Sequence, residues 1–137
     1  LNPFTPRAFA FGFQINGARA RRLIRETGSN VDARGLDLYE RLAKSPAHVA
    51  GALGMMANWD LAPLVADLAR LEAPVDFITG ASDRTVPPEV SRALADRLPG
   101  ATLVELDGLG HLAHEEAPDE IAALIEEIAG RRAAAAL

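Results

Sequence analysis

The chain contains no cysteine, which excludes disulfides, thiolate metal sites and cysteine nucleophiles together. A cytoplasmic location is the expectation that fits this absence. No apolar run approaches the roughly eighteen residues a membrane-spanning helix needs, so no transmembrane segment is expected. Aromatic residues are few, with one tryptophan and one tyrosine in 137 residues. Positive charge is not in excess either. The formal net charge of −5 argues against nucleic acid or anionic lipid as a partner. The one basic cluster, Arg19, Arg21, Arg22 and Arg25, is followed by Glu26, Asp32 and Asp37, and it reads as a solvated helix face. The segment Phe4–Ile15 is rich in aromatics, but Pro3, Pro6 and Arg7 interrupt it, so it does not read as a signal peptide. One further absence concerns chemistry. No Gly-x-Ser-x-Gly elbow occurs, and the nearest approach, Gly80-Ala81-Ser82-Asp83-Arg84, lacks the second glycine.

What is present is ordinary globular composition, 49% hydrophobic and 24% charged, in a length suited to one domain with a real core. Two regions differ in period. Residues 18–71 read as helices. Asp32 caps one running to about Lys44, with Leu36, Tyr39 and Leu42 on one face. Ser45-Pro46 starts the next, which carries Val49, Leu53, Met56 and Ala57. Asp60 caps another with Leu61, Leu64, Val65, Leu68 and Leu71 at helical spacing. Residues 72–137 alternate strand and helix. Val75–Thr79 and Thr102–Leu106 are short β-prone runs. Pro87-Pro88 opens a helix between them, closed by Pro99-Gly100. Pro118 starts a last helix with Ile121, Leu124, Ile125 and Ile128, ending at Gly130 before a frayed alanine-rich tail. A strand–helix–strand unit of this length predicts parallel strands joined by a crossover. Two strands alone make a marginal sheet. With the missing initiator methionine, that predicts a fragment whose remaining strands lie upstream.

Asp83 and His111 each follow one of the two strands. Loops leaving the carboxyl ends of neighbouring parallel strands meet at one edge, where ligands bind. A carboxylate and an imidazole can come within hydrogen-bond reach there and form two members of a catalytic triad. His111 reads as a general base, a role suited to a side chain that titrates near neutral pH, or as a loop histidine bonded to backbone. Asp83 reads as the carboxylate that orients it, or as a turn cap.

The order strand, Gly80-x-x-Asp83, Val86-Pro87-Pro88, helix, Leu98-Pro99-x-Ala101, strand, Gly108-x-Gly110-His111 resembles the carboxyl-terminal part of α/β-hydrolase proteins. That family runs nucleophile, acid, histidine along the chain, and the resemblance implies the last two roles for Asp83 and His111. It also implies an α/β fold of parallel strands with crossover helices. Residues 1–71 become a helical cap or lid region, and residues 72–137 the carboxyl-terminal segment of the core. Thr27-Gly28-Ser29, Gly35-Leu36-x-Leu38-Tyr39, Ser45-Pro46-x-His48-Val49, Met55-Met56-Ala57-x-Trp59-Asp60 and Gly110-His111-Leu112-Ala113-His114-Glu115-Glu116 are similar to the magnesium chelatase accessory proteins of bacteriochlorophyll biosynthesis. That resemblance implies a role in tetrapyrrole synthesis, a small-molecule or tetrapyrrole ligand and magnesium chelatase subunits as partners, but not a reaction. Hydrolysis through a serine encoded upstream is what the wider α/β-hydrolase resemblance implies for the complete protein. An ordinary ester or epoxide hydrolase and a non-catalytic porphyrin carrier are the alternatives.

Met55, Met56 and Trp59 are the candidates for an apolar ligand wall, since methionine adapts to irregular shapes and an indole stacks on flat ones. The competing reading is plain helix core. His48 reads as structural. His114, Glu115 and Glu116 beside His111 suggest a metal cluster. Magnesium, however, prefers oxygen ligands, and His-Glu-x-x-His is absent. Neither a metal nor another cofactor is expected, and Glu115 and Glu116 read as acidic residues favouring the start of the last helix.

Overall fold

The computed structural model describes residues 18–135, and the aromatic segment 4–15 lies outside the described residues. These divide into two compact units. One holds the helices of residues 18–26 and 31–70, and the other holds Thr27–Asn30 with the chain from Leu71 onward.

The helical unit contains α1 (Ala18–Glu26), α2 (Ala33–Ala43), α3 (Pro46–Ala57) and α4 (Ala62–Asp67). The first N–H groups of a helix have no partner within it, and side chains supply two of those partners here. Asp32 accepts the Gly35 N–H at 2.7 Å to start α2. Ser45 accepts the His48 N–H at 3.3 Å, with Pro46 in the first turn of α3. The basic face of α1 is not wholly solvated: Arg22 bonds Glu26 at 2.6 Å, but Arg21 pairs with Asp37 and Glu40 on α2. The fourth helix is shorter than its periodicity predicts. It begins at Ala62, whose N–H Asp60 accepts at 3.2 Å. It gives way at Leu68 to a 3₁₀ turn ending at Arg70. Ala20, Val31 and Val49 are buried. Leu61, Leu64 and Val65 are 47–60% exposed despite their helical spacing.

The second unit contains β1 (Asp76–Gly80), α5 (Pro88–Ala95), β2 (Thr102–Leu106), α6 (Ala113–Glu116) and α7 (Pro118–Ala135). The strands are parallel, in register from Asp76 opposite Thr102 to Gly80 opposite Leu106. Both carboxyl ends therefore stop at the same rung, and α5 forms the crossover between them. Leu98, Ile121 and Ile128 are buried, while Ile125 of the predicted α7 stripe is 53% exposed. Among the described residues, no helix is long and apolar enough to cross a membrane.

The last helix runs past Gly130 to Ala135, where the sequence predicts a frayed tail. A mid-helix glycine costs only about 1 kcal/mol relative to alanine, and Arg132 offsets that by a two-pronged contact with Asp76 of β1. Its Nε donates to Oδ2 at 3.1 Å and its Nη2 to Oδ1 at 2.8 Å. The Arg132 guanidinium, aided by the Thr102 hydroxyl, holds the Asp76 carboxyl below its ordinary range. A carboxyl lowered in the folded state contributes stability above its unfolded value and loses it as pH falls. Arg132→Ala should therefore lower the melting temperature by a few degrees at neutral pH and fray the end of α7. That deficit should shrink as pH falls below about 4, the ordinary aspartate range. Thermal melts by circular dichroism at pH 7 and pH 3 check this; an equal deficit at both would show that the ion pair is not its source.

Candidate active site

The loop leaving β1 folds back at once. Ala81 N–H donates to Leu106 O at 2.9 Å and Ser82 N–H to Leu109 O at 2.8 Å, so the two loops are joined before either turns away. Asp83 N–H closes a turn onto Gly80 O at 3.0 Å. Past β2, the chain turns at Asp107-Gly108, with Gly108 at φ +76°, a backbone conformation that glycine adopts without strain. His111 then precedes α6.

These turns bring the two predicted residues together. Asp83 Oδ2 lies 2.9 Å from His111 Nδ1. The other carboxylate oxygen, Oδ1, accepts Thr85 N–H at 2.8 Å and Val86 N–H at 2.9 Å. The Asp83 side chain is 8% exposed and that of His111 35%. Burial acts most strongly on the Asp83 carboxyl and pushes it upward. The hydrogen bonds from His111, Val86 and Thr85 together outweigh that and hold it below the ordinary aspartate range. The group is therefore a carboxylate at neutral pH, and the His111 Nδ1–H donates to it. That tautomer leaves a lone pair on Nε2, the arrangement a general base requires.

Beside the pair lies a cavity of about 330 Å³, lined by Ile78, Val86, Ser91 and Ile121 together with Asp83, His111 and His114. Its size is at the small end of ligand pockets. His114 is exposed and lies 3.7 Å from Glu115, and His48 is exposed on α3. Among the described residues, no group of three His, Cys, Asp or Glu side chains is placed to hold a metal ion. Glu115 and Glu116 are not at the start of the last helix; they close the separate short helix α6. Met55, Met56 and Trp59 belong to the helical unit, at the end of α3 and just beyond it, and are 55%, 52% and 60% exposed. Within this chain they are surface and not core.

Ser29, named in the sequence only within the Thr27-Gly28-Ser29 motif, and Glu116, read there as a helix-start acid or metal-cluster member, both bond backbone near the pair. Ser29, 4% exposed, accepts the Leu112 N–H at 2.9 Å. Glu116 accepts the Gly110 N–H at 2.9 Å and the Asn30 N–H at 2.8 Å.

Comparison with known proteins places this geometry in context. Residues 1–124 match the model of the alpha/beta hydrolase family. The chain is 45% identical over 124 residues to the magnesium-chelatase 30 kDa subunit of Rhodobacter capsulatus, covering 90% of this chain and 43% of that protein. It is 34% identical over 83 residues to a pimeloyl-[acyl-carrier protein] methyl ester esterase of Aromatoleum aromaticum, covering 61% of this chain and 32% of the esterase. The chain thus spans less than half the length of these relatives. A solved structure described as an N-acyl homoserine lactone degrading enzyme superposes with a TM-score of 0.54 at 23% identity, over 86% of this chain and 50% of that one. That likeness speaks to fold alone.

Proposed function

Because this chain belongs to the alpha/beta hydrolase family, we propose that Asp83 and His111 are the acid and base of a Ser-His-Asp-type hydrolase. It acts in tetrapyrrole synthesis beside magnesium chelatase. The observation that carries this reading is the 2.9 Å contact of His111 Nδ1 with a carboxylate whose other oxygen is held by two backbone N–H groups. In such a site His111 Nε2 takes the proton of a serine hydroxyl as its oxygen attacks the ester carbonyl. The base then gives that proton to the departing alkoxide, and a water molecule repeats the cycle to release the acid. Asp83 stabilises the imidazolium formed in each half.

The nucleophile is not among these residues. Ser29 is engaged with Leu112, Ser45 caps α3, Ser82 lies in the acid loop and Ser91 lies within α5. In this reading residues 1–71 form a helical cap, apart from Thr27–Asn30, and residues 72–137 the carboxyl-terminal segment of the hydrolase core. Similarity to the Rhodobacter capsulatus subunit supports the tetrapyrrole assignment and chelatase subunits as partners, and similarity to a methyl ester esterase supports an ester substrate. The 137-residue chain should hydrolyse no ester by itself. A longer protein that carries it with a serine elbow should turn over methyl esters. Serine-hydrolase activity from the short chain, or none from the longer one, would sink the catalytic reading.

A carrier role is favoured by one separate observation, the exposure of Met55, Met56 and Trp59. Trp59 is the sole tryptophan of these 137 residues, and comparison with Trp59→Phe isolates its emission in the longer protein. If they form a ligand wall, protoporphyrin at micromolar concentration should quench Trp59 emission saturably in the longer protein, and Met55→Ala with Met56→Ala should weaken the quenching. An unquenched Trp59 would remove the carrier.

A further inference from the structure

Backbone on both sides of His111 is held by side chains from elsewhere. Gly110 N–H, immediately before it, goes to Glu116 Oε1 at 2.9 Å. Leu112 N–H, immediately after it, goes to Ser29 Oγ at 2.9 Å. Ser29 is itself fixed, accepting from the Thr27 hydroxyl at 3.1 Å, and Asn30 N–H reaches Glu116 Oε2 at 2.8 Å. The acid loop is tied to the same segment, since Arg84 N–H, next to Asp83, donates to Thr27 O at 3.0 Å. Thr27 and Ser29 therefore bond the chain beside the acid and beside the histidine, and Asn30 bonds Glu116, although Asn30 and Asp83 lie 53 positions apart (83 − 30).

We propose that Ser29 and Glu116 are positioning residues that set the Asp83–His111 geometry, with Thr27–Asn30 acting as a clamp between the acid loop and the histidine loop. The physical reason is that an Nδ1–H donor aligned on a carboxylate tolerates little rotation of the peptide carrying it, because hydrogen bonds weaken steeply with misalignment. Two anchors flanking the histidine remove that rotation. A carboxylate serves better than an amide at position 116, since both of its oxygens accept and two N–H groups are presented to it. The role assigned rests on the acid–base reading of the pair, but its test does not need turnover.

The unsubstituted chain, labelled with ¹⁵N, provides the first measurement. The backbone N–H groups of Gly110 and Leu112 should be protected from hydrogen exchange, and long-range proton–nitrogen spectra should show neutral His111 as a single Nδ1–H tautomer. Free exchange at both amides would overturn the clamp outright. In Ser29→Ala and Glu116→Ala, the single-tautomer signature should give way to a mixture, with loss of the protected Nδ1 proton. Glu116→Gln, which keeps one acceptor, should fall between. Should either alanine variant lose the native circular dichroism signal, Glu116→Gln decides. Retention of a pure, protected Nδ1–H tautomer in folded variants would refute positioning, whatever their loss of stability. A mixed tautomer in the variants together with ester turnover by the longer protein that is indifferent to His111→Ala would leave the clamp standing and remove the hydrolase reading instead.

Discussion

Asp83→Asn in a longer protein carrying these residues should lower ester turnover by about 10⁴-fold, the cost of the same change in a serine protease triad, with little change in stability. The size of the effect follows from which oxygen does what. Thr85 and Val86 N–H groups both require an acceptor where Oδ1 now sits. An asparagine has one acceptor, so its carbonyl must occupy that place, and the NH₂ group is left facing His111 Nδ1. Two donors cannot face each other. His111 then presents its lone pair at Nδ1 and carries its proton on Nε2, where the base should be empty. Substrate binding should change little, so the loss falls on kcat and not on KM. The 137-residue chain offers an independent reading of the same switch: Asp83→Asn should convert His111 to the Nε2–H tautomer in long-range proton–nitrogen spectra. An unchanged kcat would remove the pair from catalysis, and an unchanged tautomer would contradict the orientation argument. Asp83→Ala is the poorer probe, because it leaves two backbone donors without their acceptor.

The part of this site legible from sequence is the part encoded locally. Each of the two residues follows a five-residue strand, and the register of a parallel pair with a short crossover puts both strand ends at one rim. The fold class was legible for the same reason, since the change from helical spacing to strand–helix alternation falls near residue 72. What was not legible joins distant segments. Ser29 reaches Leu112 across 83 residues and Glu116 reaches Asn30 across 86, and no spacing rule connects them. The end of α7 misled for a similar reason. Gly130 gives a local stop signal, but the alanines beyond it favour helix and Arg132 binds Asp76 across 56 residues, so the helix continues. Helical periodicity at Leu61, Leu64 and Val65 marks an apolar face correctly without saying what, if anything, in this chain covers it.

Gly28→Ala should be the most destabilising single-methyl change in the second unit. Gly28 has φ +87°, a conformation that costs an L-residue about 1–2 kcal/mol. A methyl group there would also lie 1.8 Å from the carbonyl oxygen of Ser82. That neighbour is backbone, held by the bond from Ser82 N–H to Leu109, so it cannot swing away as a side chain would. Overpacking of this kind costs about 1–3 kcal/mol or more. For a unit of this size each kcal/mol lowers the melting temperature by about 4–8 °C, so a fall on the order of 10–20 °C is expected. Gly110→Ala should behave alike, since its methyl would meet the Gly28 carbonyl carbon at 2.4 Å and Ser29 N at 2.5 Å. Gly51→Ala supplies the opposite sign. Gly51 lies within α3 with nothing inside 4 Å of the added methyl, so relief of backbone entropy should raise stability by about 0.5–1 kcal/mol. Thermal melts of the three variants distinguish close backbone approach from glycine content as such. A Gly28→Ala protein that melts with its parent would mean that the clamp and the acid loop do not meet as described, and the positioning of His111 would then need another source.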